Sequence, residues 1–365
     1  MDFTKAKKAF LVLADGTVFE GKSFGCEGTI IGEVVFTTTM VGYQETMTDP
    51  NYCGQLVAQT VPLIGNYGTN DEDYASDNSV IGGYIVREYC EEPSNFRCQY
   101  TIDDFMKKHN VIGLYDIDTR RLTRIIREKG VMNGMITNEA DFSKEEALKK
   151  ISEYEIGEVV SRFSVKDKQQ FTAENAKYNV ALVDFGNKKK TLEYLLKAGC
   201  NVTVLPYDVS ADEIRSLNPD GIVLSNGPGA PELNTKAIET FKALLTDKIP
   251  TFGICLGHQI LALANGAKTF KLKYGHRGAN QPVISLDESG RTFIVSQNYG
   301  YAVDSDSISA EVGKVSFINA NDKTCEGIDY LNVPAFSVEF HPDDCGGPQD
   351  TSYLFDRFIK LMEDK

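Results

Sequence analysis

Residues 251–266 read TFGICLGHQILALANG: an apolar run, a thiol framed by two glycines, then about ten residues with helical patterning. The stretch Gly253-Ile254-Cys255-Leu256-Gly257 has the form of a strand–turn–helix elbow that carries a nucleophile, with cysteine where serine is more familiar. At a helix N-terminus the aligned peptide dipoles favour thiolate over thiol. The N–H of Leu256, in the first turn, has no intrahelical acceptor. It is free to donate to an oxyanion formed when the sulfur attacks a carbonyl. The competing expectation is a structural cysteine packed as a small hydrophobe at the sheet edge.

A nucleophilic thiolate needs a base that holds its proton and delivers it to the leaving group. The chain has four histidines. His258 follows Cys255 within the first helical turn, too close in sequence to point back at it. His109 belongs to a polar helix of the first domain, and His276 to a loop, KYGHRGANQPV. His341 follows PAFSVEF, which reads as a strand, and precedes Pro342. Ligands of open α/β sheets gather at carboxyl ends of strands, so His341 is the favoured base, against the alternative of a surface loop histidine. A carboxylate should orient its imidazole, and Glu339, Asp343 and Asp344 are all near. A second glycine loop, SNGPGAP (225–231), also follows a strand. Its backbone could turn several N–H groups to one side, to bind phosphate or to complete an oxyanion hole with Leu256. It lacks the GK[ST] ending of a P-loop, and an ordinary tight turn is the alternative.

Two different halves must position these groups. The first, residues 1–157, is β-rich: AFLVLADGTVFEG is a hairpin around Asp-Gly, followed by β-branched runs broken by glycine and by two short helices, TIDDFMKKHN and DIDTRRLTRIIREKG. Residues 158–177 are polar and without period, and read as a linker. From 178 to 365 short apolar strands alternate with helices, the pattern of βαβ units and a mainly parallel sheet. The stretch from about Gln281 to Phe340 is richer in strands, and the helix SYLFDRFIKLME closes the chain. The fold class is α/β throughout.

Composition sets outer limits. Hydrophobic residues make up 42% and charged residues 25% of 365, ordinary for a globular protein. The net charge of −14 disfavours nucleic acid as a partner, since phosphate binding wants a basic face. No apolar run approaches the roughly 18 residues of a membrane helix. The opening stretch MDFTKAKKAFLVLADG has an apolar run too short for a signal peptide. A cytoplasmic protein with no membrane partner is expected. The eight cysteines form no CxxC pair and suit free thiols in a reducing compartment. No metal site is expected.

NGPG, GICLGHQ and FHP, in that order in one α/β domain, resemble the class I glutamine amidotransferases. GYQETMTDPNYCGQ, GNYGTNDED, DIDTRRLTRIIREKG, KYGHRGANQPV and SQNYGYAVD resemble, over nearly the whole chain, the glutamine-hydrolysing small-subunit family of carbamoyl-phosphate synthetases. The resemblance implies an N-terminal β-rich domain that meets the partner, joined to a C-terminal class I amidotransferase domain. It makes Cys255 the nucleophile toward the glutamine side-chain amide, His341 the base and Asp343 the third member. Thr39, Gly227, Gly229, Leu256, Gln259, Asn298, Gly300 and Tyr301 match substrate-binding and oxyanion positions. It implies a γ-glutamyl thioester, and ammonia passed to a large subunit that makes carbamoyl phosphate from bicarbonate. ATP and magnesium belong to that subunit, and no cofactor to this chain. Higher oligomers of the heterodimer, and use of the product for arginine or for pyrimidines, stay open.

Four positions depart from the family's pattern. Asp343 replaces glutamate and is shorter by one methylene, about 1.5 Å. Glu339 replaces glutamine; if it shares a strand face with His341, it is a second candidate to orient the imidazole. Tyr299 replaces histidine and is expected to line the site or the interface. Ala230 replaces aspartate. Arg120, Arg121, Arg124 and Arg127 form either a partner surface or a solvated face. A stand-alone γ-glutamyl hydrolase and a non-catalytic assembly subunit are the alternative functions.

Overall fold

The structure is a computed structural model that describes residues 7–77, 81–343 and 346–364. Asp344, Cys345 and the first six residues of the opening stretch lie outside those described. The chain divides into two compact units, Met1–Ile156 and Gly157–Lys365.

In the first unit seven strands close into a barrel: β1 (Lys8–Leu13), β2 (Val18–Gly25), β3 (Thr29–Thr37), β4 (Gln55–Gln59), β5 (Gly83–Ile85), β6 (Ile112–Tyr115) and β7 (Met132–Thr137), in the order β1-β2-β6-β5-β4-β3-β7 with β7 returning to β1. Closure leaves no open edge among these strands. The expected Asp15-Gly16 hairpin joins β1 to β2. Helix α1 (Thr119–Lys129) starts where the Asp118 carboxylate accepts the Arg121 N–H, an N-cap that satisfies a donor the helix cannot. Leu122 and Ile126, one turn apart, are buried, while Arg120, Arg121, Arg124 and Arg127 are all exposed. One helix therefore carries an apolar and a basic face.

The second unit is built on a ten-stranded sheet. Its strands are β8 (Gln169–Phe171), β9 (Tyr178–Asp184), β10 (Cys200–Pro206), β11 (Gly221–Leu224), β12 (Thr251–Ile254), β13 (Thr269–Ser285), β14 (Thr292–Val303), β15 (Gly313–Asn319), β16 (Cys325–Tyr330) and β17 (Ala335–Val338), ordered β8-β10-β9-β11-β12-β17-β16-β15-β13-β14. The run β10-β9-β11-β12-β17 is parallel, and the flanks are antiparallel. Helices cover both faces. Ala181 and Val183 of β9 pack with α3 (Thr235–Leu244) and α4 (Leu256–Ala264), while Val180 and Leu182 pack with α2 (Lys189–Lys197) and α5 (Tyr353–Glu363). Successive side chains leave a strand on opposite faces, so a doubly covered strand must be apolar at every position. The apolar stretch within NVALVDF reads from sequence as a strand, and the observed strand spans Tyr178–Asp184. Each such Val or Leu contributes about 1.5–3 kcal/mol through burial.

Two expectations need correction. Residues 158–177 are not a bare linker: Val160 is buried in the core of the second unit, and β8 pairs antiparallel with β10. Two or three apolar side chains suffice to anchor an edge strand whose remaining residues face water, so polarity hides it. His276 lies within β13 rather than in a loop. The glycines around it accompany register shifts against β14, and bulged strands look like loops in sequence.

Candidate functional site

The site forms where the parallel strands end. Strands β12 and β17 pair in register to Ile254↔Val338. Cys255 is the next residue on one chain segment and His341 the third residue on the other. Their approach is fixed by backbone: the Cys255 N–H donates to the Val338 carbonyl at 2.8 Å, and the His341 N–H to the Ser296 carbonyl at 2.9 Å. Strand β14 ties both together, because two residues beyond Ser296 the Asn298 carbonyl lies 3.9 Å from Cys255 Sγ.

Cys255 adopts φ +52° and ψ −109°, a conformation that costs a non-glycine residue about 1–3 kcal/mol. Neighbouring packing holds it there. A Cβ on Gly257 would lie 2.3 Å from the Leu224 carbonyl oxygen, so the helix start can press onto β11 only without a side chain. Cys255 is itself the N-cap of α4, with no side chain capping that end. The Gly257 N–H is taken by the Ser225 carbonyl at 3.0 Å. As the first helical residue, Leu256 has an N–H outside the intrahelical ladder, as an oxyanion donor requires. The NGPG loop abuts this elbow. A Cβ on Gly227 would lie 2.4 Å from the Phe185 carbonyl oxygen and 2.9 Å from Leu256 Cδ2. Gly229 lies two residues further along that loop, beside Val159.

Gln259, one turn into α4, donates from Nε2 to the Tyr301 carbonyl at 2.8 Å and to Glu339 Oε1 at 2.9 Å. Leu256 adjoins Cys255, the Asn298 carbonyl faces its sulfur, and Gln259 reaches the Tyr301 carbonyl; Gly300 precedes Tyr301 on β14, where a Cβ would lie 3.2 Å from Arg277 Nη2. Thr39 belongs to the first unit, where its hydroxyl meets that of Thr37 at 3.0 Å.

The two carboxylates part company. Asp343 Oδ1 lies 4.0 Å from His341 Nδ1, and its Oδ2 accepts a hydrogen bond from the Thr191 hydroxyl on α2. Glu339 instead turns to α4: Gln259, Cys255 and, at 3.6 Å from Oε2, His258 Nε2. Strand β17 ends at Val338, so the alternation expected to align Glu339 with His341 does not extend that far. Asp343 is the carboxylate on the imidazole's side; Asp344 lies outside the described residues. Cys255, Glu339, His341 and Asp343 are all at most 2% exposed.

Burial governs the protonation of the surrounding groups. It drives the His258 imidazole down to about 3, so this ring is neutral, with Nδ1 2.7 Å from the Ser337 hydroxyl. Burial, reinforced by Glu326, pushes the Glu339 carboxyl well above the usual carboxylate range.

Residues 276–326 add a network that sequence reasoning missed. His276 Nδ1 lies 2.7 Å from the Tyr299 hydroxyl, and Nε2 lies 2.8 Å from Asp322 Oδ2. The Tyr299 hydroxyl and Gln297 Nε2 both donate to the buried Glu326 carboxylate. Although burial alone would lower it, the Asp322 and Glu326 carboxylates hold His276 up at about 9. The Tyr299 hydroxyl is buried in this network, which braces the strand bearing Asn298. Thr191 was also missed; its place at the helix following the first parallel strand is the signal that could have found it.

A family profile described as carbamoyl-phosphate synthase small chain, CPSase domain, matches residues 11–136, and one described as glutamine amidotransferase class-I matches residues 181–361. The chain is 46% identical to the carbamoyl phosphate synthase small chain of Syntrophotalea carbinolica, with 98% of both chains covered. It is 46% identical to that of Listeria monocytogenes, again with 98% of both covered. It is 47% identical to the carbamoyl phosphate synthase pyrimidine-specific small chain of Bacillus subtilis, covering 98% of this chain and 96% of the relative. No helix among the described residues is long and apolar enough to cross a membrane.

Proposed function

Because the chain belongs to the carbamoyl-phosphate synthase small-chain family, and is thereby the glutamine amidotransferase subunit of a ligase complex, we propose that it hydrolyses glutamine through a thioester on Cys255 and delivers the ammonia to a large subunit. The observation that carries this reading is the strained elbow at Cys255, beside the strand end that bears His341.

The steps follow from the groups present. The Cys255 thiolate attacks the side-chain carbonyl carbon of glutamine, and the negative charge that develops on oxygen meets the Leu256 N–H and the backbone around Gly227 and Gly229. His341, having taken the thiol proton, gives it to the amide nitrogen as the C–N bond breaks. Ammonia leaves and a γ-glutamyl thioester remains. Water, deprotonated by His341, then attacks the thioester and releases glutamate and the thiolate. Asp343 orients the imidazole, and Thr191 holds Asp343. Gln259, Asn298, Gly300 and Tyr301 position the substrate.

Ammonia released into water at neutral pH becomes ammonium and loses its nucleophilic lone pair. A partner that takes it up inside a complex avoids that loss. The partner uses ATP with magnesium and bicarbonate to make carbamoyl phosphate; this chain needs no cofactor of its own. Glutamate release from glutamine, measured with and without the large subunit, tests the reading. Release stimulated by the partner supports it. Hydrolysis of γ-glutamyl peptides by the chain alone indicates a stand-alone hydrolase, and stable complex formation without turnover indicates a non-catalytic subunit.

A further inference from the structure

Three residues of α4 and its cap face one carboxyl group. Cys255, His258 and Gln259 stand at i, i+3 and i+4, one side of a helix, and all three meet Glu339. The Glu339 side chain accepts from Gln259 Nε2 at 2.9 Å, lies 3.6 Å from His258 Nε2, and is close enough to Cys255 for the two to interact; it directly follows Val338, whose carbonyl takes the Cys255 N–H. It has no exposed surface. We propose that Glu339 is a positioning residue for the nucleophile, donating a hydrogen bond from its carboxylic acid to the Cys255 sulfur once that sulfur is anionic. The proposal rests on the glutaminase reading above and names a group that this reading does not use.

A thiol can donate S–H to a carboxyl oxygen. A thiolate cannot, and needs a donor. An ionised carboxylate has only acceptors to offer and repels the sulfur anion, whereas a protonated one donates. Only the S–H bond breaks, its proton going to His341 as above; the Glu339 proton stays on its oxygen, and an O–H···S⁻ hydrogen bond forms in the attacking state. The surroundings favour the protonated form. Burial and the Glu326 charge raise the carboxyl, while the hydrogen bonds from Gln259 and Cys255 oppose them. From α4, His258 is neutral and supplies no cation. Tyr299 on β14 and Cys325 on β16 also feel the Glu339 charge, and both are themselves raised by burial. His341 follows two residues along the same segment.

The test compares E339L, which removes the donor, with E339Q, which keeps a donor that cannot ionise. It uses the full chain, alone and with its large subunit. Alkylation of Cys255 by iodoacetamide, followed against pH by mass spectrometry of its peptide, needs no turnover. In E339L the alkylation midpoint rises by about one pH unit, roughly tenfold slower reaction near neutrality. In E339Q it stays close to the parent. In the complex, E339L lowers kcat for glutamate release about tenfold at nearly constant KM, and E339Q recovers most of that loss. E339Q also remains active to higher pH than the parent, because nothing in its place loses a proton. An E339L protein with the parent's melting temperature and alkylation midpoint overturns the proposal. If E339L fails to fold, an E339Q protein whose activity falls at the same alkaline pH as the parent overturns it. A parent complex that releases no glutamate, while alkylation shifts as stated, supports the hydrogen bond and overturns the glutaminase reading alone.

Discussion

The thiol end and the imidazole end of the site are built in different ways. The thiol end is local. Strand β12, Cys255 and helix α4 are contiguous, and the strained backbone, the flanking glycines and the uncapped helix start all come from residues 251–259. The imidazole end is assembled from distant segments. His341 and Asp343 follow β17, the His341 N–H is held by Ser296 of β14, and Asp343 is held by Thr191 of α2. A local device is rigid because the turn cannot shift without breaking the sheet pairing of β12 at one end or the contact of α4 with Leu224 and Ser225 at the other. An assembled one depends on tertiary packing, and its geometry can be tuned from several places.

If that contrast holds, damage at the thiol end is all-or-none. C255A is expected to lower partner-stimulated glutamate release by at least about 10⁴-fold, while the variant still co-purifies with the large subunit. G257A is next. The added Cβ, 2.3 Å from the Leu224 carbonyl oxygen, forces the elbow away from β11. The cost is about 1–3 kcal/mol of stability, and a displacement near 1 Å lowers activity about 100-fold. Thermal melting and glutamate release read the two effects. A G257A protein that melts and turns over like the parent would mean that the elbow is not held by this contact.

Damage at the imidazole end should be graded. D343N leaves His341 in place and removes only its orienting charge, so kcat for glutamate release should fall by about 10–100-fold, a fraction of what proton transfer by His341 supplies, with little change in KM. Parent-like activity in D343N would remove Asp343 from the role and break the contrast.

The same difference decides what could be read from sequence. Cys255 was legible because strand, glycines and helix are neighbours in the chain, and His341 because a histidine after an apolar run lands at a strand end. Gln259, Asn298 and Tyr301 came only from family resemblance, since nothing in their own surroundings marks a substrate contact. Glu339 is the lesser candidate beside Asp343, resting on period-two alternation that would have to run beyond Val338, where β17 ends. Thr191, Ser296 and Glu326 act through pairing between segments far apart in sequence. The barrel as a closed object was hidden as well: its runs read as strands, but closure of β7 onto β1 is set by tertiary packing. The parallel sheet was visible because burial on both faces leaves near-continuous apolar runs.

The smallest expected effect concerns the strand that joins the two ends. His276 titrates at about 9 in the folded chain, above its unfolded value near 6.5. The folded state therefore binds more protons than the unfolded one between these values, and the stabilisation is complete below about 6.5 and lost as pH rises toward 9. The melting temperature of the parent should exceed that of H276Q at pH 6, and the gap should narrow steadily by pH 9. A constant gap would mean that His276 packs without titrating, and would detach the Tyr299–Glu326 network from electrostatic bracing of β14.

The most direct test of the central claim is acid-quenched peptide mass spectrometry of the chain, in complex with its large subunit, during turnover of glutamine. One γ-glutamyl group is predicted on the peptide that contains Cys255, lost on return to neutral pH and absent from C255A. Glutamate release with no such adduct, or with the adduct on another residue, would contradict the account.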